Sequence, residues 1–174
     1  ARRYSALMSQ RQTRPLPSLW LVTDERNDAV LERALRRLPR GSGVIYRHYH
    51  LPDAARIARF RAIARIARAR GHTIVLADSA QTAAEWGACG SYGAPRALYP
   101  RRRILRLATV HSLREIGDAN RLGADAALLS PAFPTRSHPG ADALGPARFR
   151  LLAARAGMAV IALGGVTKRR AARL

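Results

Sequence analysis

Short apolar runs alternate along this chain with stretches of helical periodicity, and that alternation limits the fold more than any other feature. Seven runs can be read, at residues 19–23, 43–47, 73–77, 89–92, 104–109, 125–129 and 158–163, the fourth of them weak. Each has the length of a strand and falls well short of the roughly 18–20 residues a membrane helix requires. Between them lie amphipathic segments. Asp28 reads as the cap of a helix with Val30, Leu31, Ala34, Leu35 and Leu38 on one face, stopped by Pro39 and Gly41. Asp53 opens a longer one that ends at Gly71. Its stripe is Ile57, Phe60, Ile63 and Ile66, and Arg56, Arg59, Arg61, Arg65 and Arg68 are expected to form a solvated face. A short helix follows at 79–86. Another begins near Ser112, where Ser112 and Glu115 have capping-box spacing. Pro146 suits the first turn of one running to Ala156.

Strands with apolar centres and intervening helices call for a parallel sheet covered on its outer face. The expected fold is therefore α/β, a (β/α)8 TIM barrel lacking its last β/α unit, formed by residues 19–174 after an N-terminal extension at 1–18. Thr167 and the basic residues after it read as the start of a seventh helix. Three closures of the seam stay open: a longer chain, a partner such as a second copy of this one, or an open relative of the barrel.

Apolar residues make up 48% of the chain, enough for one buried core. Against 11 acidic side chains stand 31 basic ones, a formal charge of +20. Lys168 is the only lysine, and aromatic residues, 6% of the chain, are scarce among the arginines. That pattern points to a solvated basic surface with non-specific polyanion affinity at low salt. An arginine-rich nucleic-acid binder is the minor alternative, and it would need Arg56 to Arg70 and Arg101 to Arg103 to form one exposed band. Cys89, the only cysteine, rules out an internal disulfide and reads as a small buried hydrophobe. With neither a secretory signal nor a membrane span legible, a cytoplasmic location is expected. Trp20 and Trp86 are assigned to the core.

Chemistry in a parallel barrel gathers where strands end. The residues there are Asp24, Arg47 to His50, Asp78, Thr109 to His111, Ser130 to His138, and the pair Gly164 and Gly165. Arg47 reads as a phosphate clamp, since an arginine leaving an apolar strand wants an anionic partner. Asp78 suits a metal ligand and a helix N-cap equally. His48 and His50 alternate on one side, and without a third ligand they read as partly exposed. His111, at a strand exit, is a catalytic candidate.

Several segments carry a resemblance: Leu19-Trp20-Leu21-Val22-Thr23-Asp24, Ala108 to Ser112 with Glu115 and Ala119, Gly123-Ala124-Asp125, the loop from Ser130 to His138, and Val160 to Val166. Together, in the same order over roughly residues 19–167, they resemble the thiamine phosphate synthase and TenI-type thiazole tautomerase superfamily. The resemblance implies a (β/α)8 barrel that couples a pyrimidine methyl diphosphate to thiazole phosphate with Mg2+ and releases diphosphate. It implies phosphate contacts from Thr135, Ser137, His138, Gly164 and Gly165, with His138 standing where the family has lysine. It also implies catalytic roles for Arg47 and Thr109 and a metal role for Asp78, and it makes His111 a position beside the site. The family's Gln-x-Arg-x-Lys is here Ile45, Arg47 and Tyr49, and its fourth-strand motif with a second metal aspartate is Gly87 to Pro95 with no acid. Ser130-Pro131 stand where TenI-type tautomerases carry their histidine, so that mechanism is not supported. The Ser-Pro-x-Phe-Pro-Thr pattern follows the synthase branch, which makes divergent coupling the leading expectation. The alternative is a non-coupling protein that binds a phosphorylated thiazole in an isomerase, salvage or regulatory role.

Overall fold

A computed structural model of the chain describes residues 15–98, 104–135 and 142–174. The strands are β1 (Trp20–Val22), β2 (Gly43–Tyr46), β3 (Thr73–Leu76), β4 (Gly90–Gly93), β5 (Leu105–Val110), β6 (Ala126–Leu129) and β7 (Ala159–Ala162). They pair in chain order, every pair parallel. Helices α1 (Asp28–Arg37), α2 (Asp53–Ala69), α3 (Ala80–Glu85), α4 (Leu113–Leu122) and α5 (Gly145–Ala153) lie in the connections and α6 (Lys168–Ala171) follows β7, while between β4 and β5 the described residues hold a 3-10 turn at Pro95–Leu98. Among the described residues no pairing joins β7 to β1, so the sheet is an open, seven-stranded part of a TIM barrel. The central strands are buried along their length, whereas β1 and β7 are only half-covered at the seam.

Alternation along the strands sorts side chains into two layers. Ile45, Val75, Leu107, Ala126 and Leu128 face the interior, joined by Trp20, Val22, Ile161 and Leu163. Their neighbours Val44, Tyr46, Ile74 and Leu76 meet Leu31 and Leu35 of α1 and Phe60 and Ile63 of α2. Farther along, Ala108, Val110, Ala127 and Leu129 pack on Ile116, Leu122, Phe149 and Leu152. Trp86 rests half-buried against Phe60, with ring centres 5.5 Å apart. Cys89 is exposed instead of buried, because it lies just before β4 at the end of the sheet opposite the strand exits.

The basic face of α2 is not uniformly solvated. Arg61, Arg65 and Arg68 are exposed, but Arg56 is buried and Arg59 is half-buried. Arg59 donates to Asp28 Oδ1 at 2.9 Å and to Glu32 Oε1 at 2.9 Å, tying α2 to α1. Asp28 is thus an ion-pair partner and not a cap. The cap in this region is Asp24, which opens the 3-10 turn Glu25–Asn27. With Arg56 withdrawn from the surface, the exposed arginine band expected of a nucleic-acid binder is broken, and 99–103 lie outside the described residues.

His48 is fully buried, contrary to the expectation of partial exposure. It leaves β2 with a positive φ of 42° and follows the outward parity of Val44 and Tyr46, stacking on the Tyr46 ring at 4.6 Å. Its Nδ1 lies 2.8 Å from Thr23 Oγ1 and its Nε2 lies 2.9 Å from Asp28 Oδ1. Thr23 Oγ1 also accepts the Arg47 N–H at 3.1 Å. A single buried relay therefore fixes the exits of β1 and β2 against α1.

On β5, Arg106 is 2% exposed yet charged, because its Nη1 and Nη2 donate to the Leu122 and Gly123 carbonyls at 3.0 and 2.6 Å. These carbonyls close α4 at a left-handed Gly123, the negative end of the helix dipole. Arg106→Ala removes both bonds, and urea denaturation is expected to show a loss of about 2–4 kcal/mol.

The buried relay also sets an acid response. Burial pushes His48 below its ordinary 6.5, against the pull of Asp28. Burial raises Asp28, but hydrogen bonds from His48 and Arg59 outweigh it and hold the carboxyl below 3.8. Both groups bind protons more readily in the unfolded chain. Their stabilisation is present above the unfolded pKa and lost as pH falls through the folded one, first His48 below about 6.5 and then Asp28 below about 4. His48→Asn should shrink the drop in urea midpoint between about pH 7.5 and about pH 5.5, while leaving the loss at more acidic pH in place.

Candidate functional site

The interior parity of the strands carries on to their ends and beyond. Arg47 follows Ile45, Thr109 follows Leu107, Ser130 follows Leu128, and Gly165 follows Leu163, which sets these groups at the carboxyl end of the half-barrel. They form two groups, one over β1 to β3 and one over β5 to β7.

Over β1 to β3 lies a cavity of about 250 Å³ lined by Asp24, Glu25, Arg26, Arg47, His48, Tyr49 and His50. Asp24 is paired with Arg26, whose hydrogen bond outweighs burial and lowers the Asp24 carboxyl pKa. The Arg47 guanidinium lies 5.6 Å from the centre of the Tyr49 ring, a cation–π distance, and makes no hydrogen bond or ion pair among the described residues. Tyr49 and His50 are exposed, and His50 stands 5.3 Å from the His48 ring.

Asp78 has a different partner from either one read in the sequence. The N-cap of α3 is Ser79, which accepts the Thr82 N–H at 3.0 Å. Asp78 retains the outward parity of Ile74 and Leu76 and turns toward α2, where its Oδ2 accepts from Arg56 Nη1 at 2.8 Å. Its Oδ1 accepts the Ser79 N–H at 2.8 Å. Burial raises the Asp78 carboxyl, but hydrogen bonds from Arg56 and Ser79 outweigh it and hold it below its usual range. Arg56, 7% exposed, also donates from Nη2 to the Ala77 carbonyl at 2.9 Å and from Nε to the Arg47 carbonyl at 3.0 Å. A hard divalent cation needs several oxygen ligands not already engaged by another cation. Among the described residues no three His, Cys, Asp or Glu side chains converge as such a set. The donors around Asp78 do not fit Mg2+.

Over β5 to β7, His111 joins Thr109 to Ser130. Its Nδ1 lies 2.9 Å from the Ser130 carbonyl, which calls for a proton there and leaves Nε2 to accept from Thr109 Oγ1, 3.4 Å away. The His111 N–H donates to Glu115 Oε2 at 2.6 Å, so the acid of the capping pair reaches back one residue farther than the box predicts. Gly164 and Gly165 have φ of 91° and 62°, two successive left-handed residues. The carbonyls of Leu163 and Gly164 accept the N–H groups of Ala132 and Phe133 at 2.8 and 3.0 Å, lacing the loop after β7 to the loop after β6. A Cβ on Gly165 would lie 2.4 Å from the Pro134 carbonyl oxygen and 2.8 Å from that of Phe133. Thr135 is half-buried at the end of this segment, and Ser137 and His138 lie outside the described residues.

Three participants were not legible as such in the sequence. Arg56 sits in an arginine-rich stripe that gives no sign of which member turns inward. Thr23 closes the first apolar run and reads there as an ordinary strand residue. Arg170 is hidden in the basic run after Thr167, yet its Nη1 donates to the Gly165 carbonyl at 2.8 Å and its guanidinium lies 5.4 Å from the centre of the Phe133 ring.

The thiamine monophosphate synthase family profile matches residues 19–174. The fold is similar to that of thiamine phosphate pyrophosphorylase from Pyrococcus furiosus, with a TM-score of 0.75 and 22% identity over 90% of this chain and 79% of that one. It is also similar to thiamine phosphate pyrophosphorylase from Bacteroides thetaiotaomicron, with a TM-score of 0.56 and 15% identity over 88% and 75% of the two chains. With the strand order, the carboxyl-end site and a profile match across nearly all the described residues in agreement, the chain belongs to the thiamine monophosphate synthase family.

Proposed function

We propose that this protein acts in thiamine biosynthesis by binding a thiazole phosphate over β5 to β7. The observation that carries this reading is the double left-handed turn at Gly164 and Gly165, interlocked with Pro131 to Pro134. Phosphate is held well by backbone N–H groups that a side chain does not shield and by nearby hydroxyls. The N–H groups of Gly165 and Val166 meet no acceptor among the described residues. Thr135 lies on the adjoining loop, and the family resemblance adds Ser137 and His138. The thiazole ring would then point toward Thr109 and His111, whose mutual hydrogen bond presents one fixed polar edge.

A second reading, coupling to pyrimidine methyl diphosphate, is favoured by Arg47, which keeps its family position and carries an uncommitted guanidinium beside the cavity. In that reaction the methylene C–O bond breaks and the diphosphate leaves with the electron pair. The thiazole nitrogen then donates its lone pair to the resulting cation. Arg47 would offset charge building on the leaving group, and a closed face would keep water from the cation.

The test is calorimetric titration with thiazole phosphate on the purified chain. Gly165→Ala, verified as folded by circular dichroism, is expected to weaken binding by about tenfold or more, and Arg47→Ala to change it by less than about twofold. Absence of thiazole phosphate binding to the parent chain would overturn the proposal. With pyrimidine methyl diphosphate added, no thiamine phosphate is expected by mass spectrometry. Product that disappears in Arg47→Ala would establish coupling instead.

A further inference from the structure

We propose that the site over β1 to β3 takes a phosphate-bearing anion without a divalent metal, because Arg56 permanently holds the cation position beside Asp78. This inference does not depend on thiazole phosphate being the ligand over β5 to β7.

Every nitrogen of the Arg56 guanidinium is engaged: Nη1 with Asp78 Oδ2 at 2.8 Å, Nη2 with the Ala77 carbonyl at 2.9 Å, and Nε with the Arg47 carbonyl at 3.0 Å. Its plane is also flanked by aromatic rings, Trp86 at 5.3 Å and Tyr49 at 5.1 Å. A planar cation held by three oxygens and two rings is bound far more specifically than a mobile ion pair. For Mg2+ to use Asp78 Oδ2, this buried arginine would lose its carboxylate partner while the two backbone carbonyls and two rings still hold it beside the incoming cation, which is strongly disfavoured. Asp78 Oδ1 is engaged as well, by the Ser79 N–H.

The neighbouring positions point the same way. Where the family resemblance expects a glutamine and a lysine, Ile45 and Tyr49 offer no charge, and no acid follows β4 before Pro100. Asp24, a half-buried carboxylate lining the cavity, is paired with Arg26, and Glu25, also in the lining, stands exposed. With Asp78 neutralised by Arg56 and Asp24 by Arg26, Arg47 is, among the described residues that line the cavity, the cation left for an incoming anion. Arg56 fixes it in place, since the Arg47 carbonyl is one of the three oxygens it grips. Arg56 is thus a positioning residue, and Arg47 is the one that touches the ligand.

The experiment titrates the full chain calorimetrically with inorganic pyrophosphate, once in EDTA and once in excess MgCl2. The expected result is binding in EDTA, changed by less than about twofold with magnesium and weakened by about tenfold or more in Arg47→Ala. Asp78→Asn should lower the thermal midpoint by roughly 2–8 °C while leaving the response to magnesium flat. Pyrophosphate binding that requires magnesium, and loses that requirement in Asp78→Asn, would overturn the proposal. So would a failure to bind pyrophosphate in either buffer. Neither result would bear on thiazole phosphate binding over β5 to β7, which is measured separately.

Discussion

The Arg56 guanidinium is the contact on which one half of this molecule depends. It reaches from the first turns of α2 across the exits of β2 and β3 and grips a main-chain carbonyl at each, together with the Asp78 carboxylate. Two strand exits and a helix are thereby set by one rigid, planar group. The cost of desolvating the charge is offset because its hydrogen-bonding directions are matched with acceptors and its faces lie near aromatic rings. The neighbouring relay of Thr23, His48 and Asp28 does the same for the exits of β1 and β2. The cavity between these exits is therefore framed by buried side-chain polar groups.

The other half is organised by the backbone. Over β6 and β7 the two loops exchange main-chain hydrogen bonds, and the close approach at Gly165 leaves no space for even a methyl group. Arg170 adds a side-chain clasp on the Gly165 carbonyl without entering the turn. A site built from N–H groups tolerates change in surrounding side chains provided the glycines remain. A site built from side chains does not.

What could be read from sequence follows that division. The seven strands, their parallel order and the helices between them were legible because period-two and helical patterns follow directly from which faces are buried. Gly164 and Gly165 were legible because a glycine pair closing an apolar strand has few other uses. Arg56 was not, since helical periodicity places it among arginines that are indeed exposed, and only the Asp78 carboxylate beside it decides which one turns inward. His48 was misplaced for a related reason. Its burial depends on Thr23 and Asp28, which are 25 and 20 positions away and acquire meaning only once β1, β2 and α1 are packed together.

The same division sets which substitutions each end accommodates. The glycine-built end resists substitution because any side chain at Gly165 collides with the Phe133 and Pro134 carbonyls, so it changes only if the loops are rebuilt. At the other end the Asp78 carboxylate is met by a guanidinium of the neighbouring helix, so its charge is balanced from within the fold. Apolar and aromatic residues such as Ile45 and Tyr49 are then compatible with a folded, well-packed site. An internal cation of this kind keeps the strand exits in position without depending on ion supply, and it leaves the Arg47 guanidinium facing the cavity.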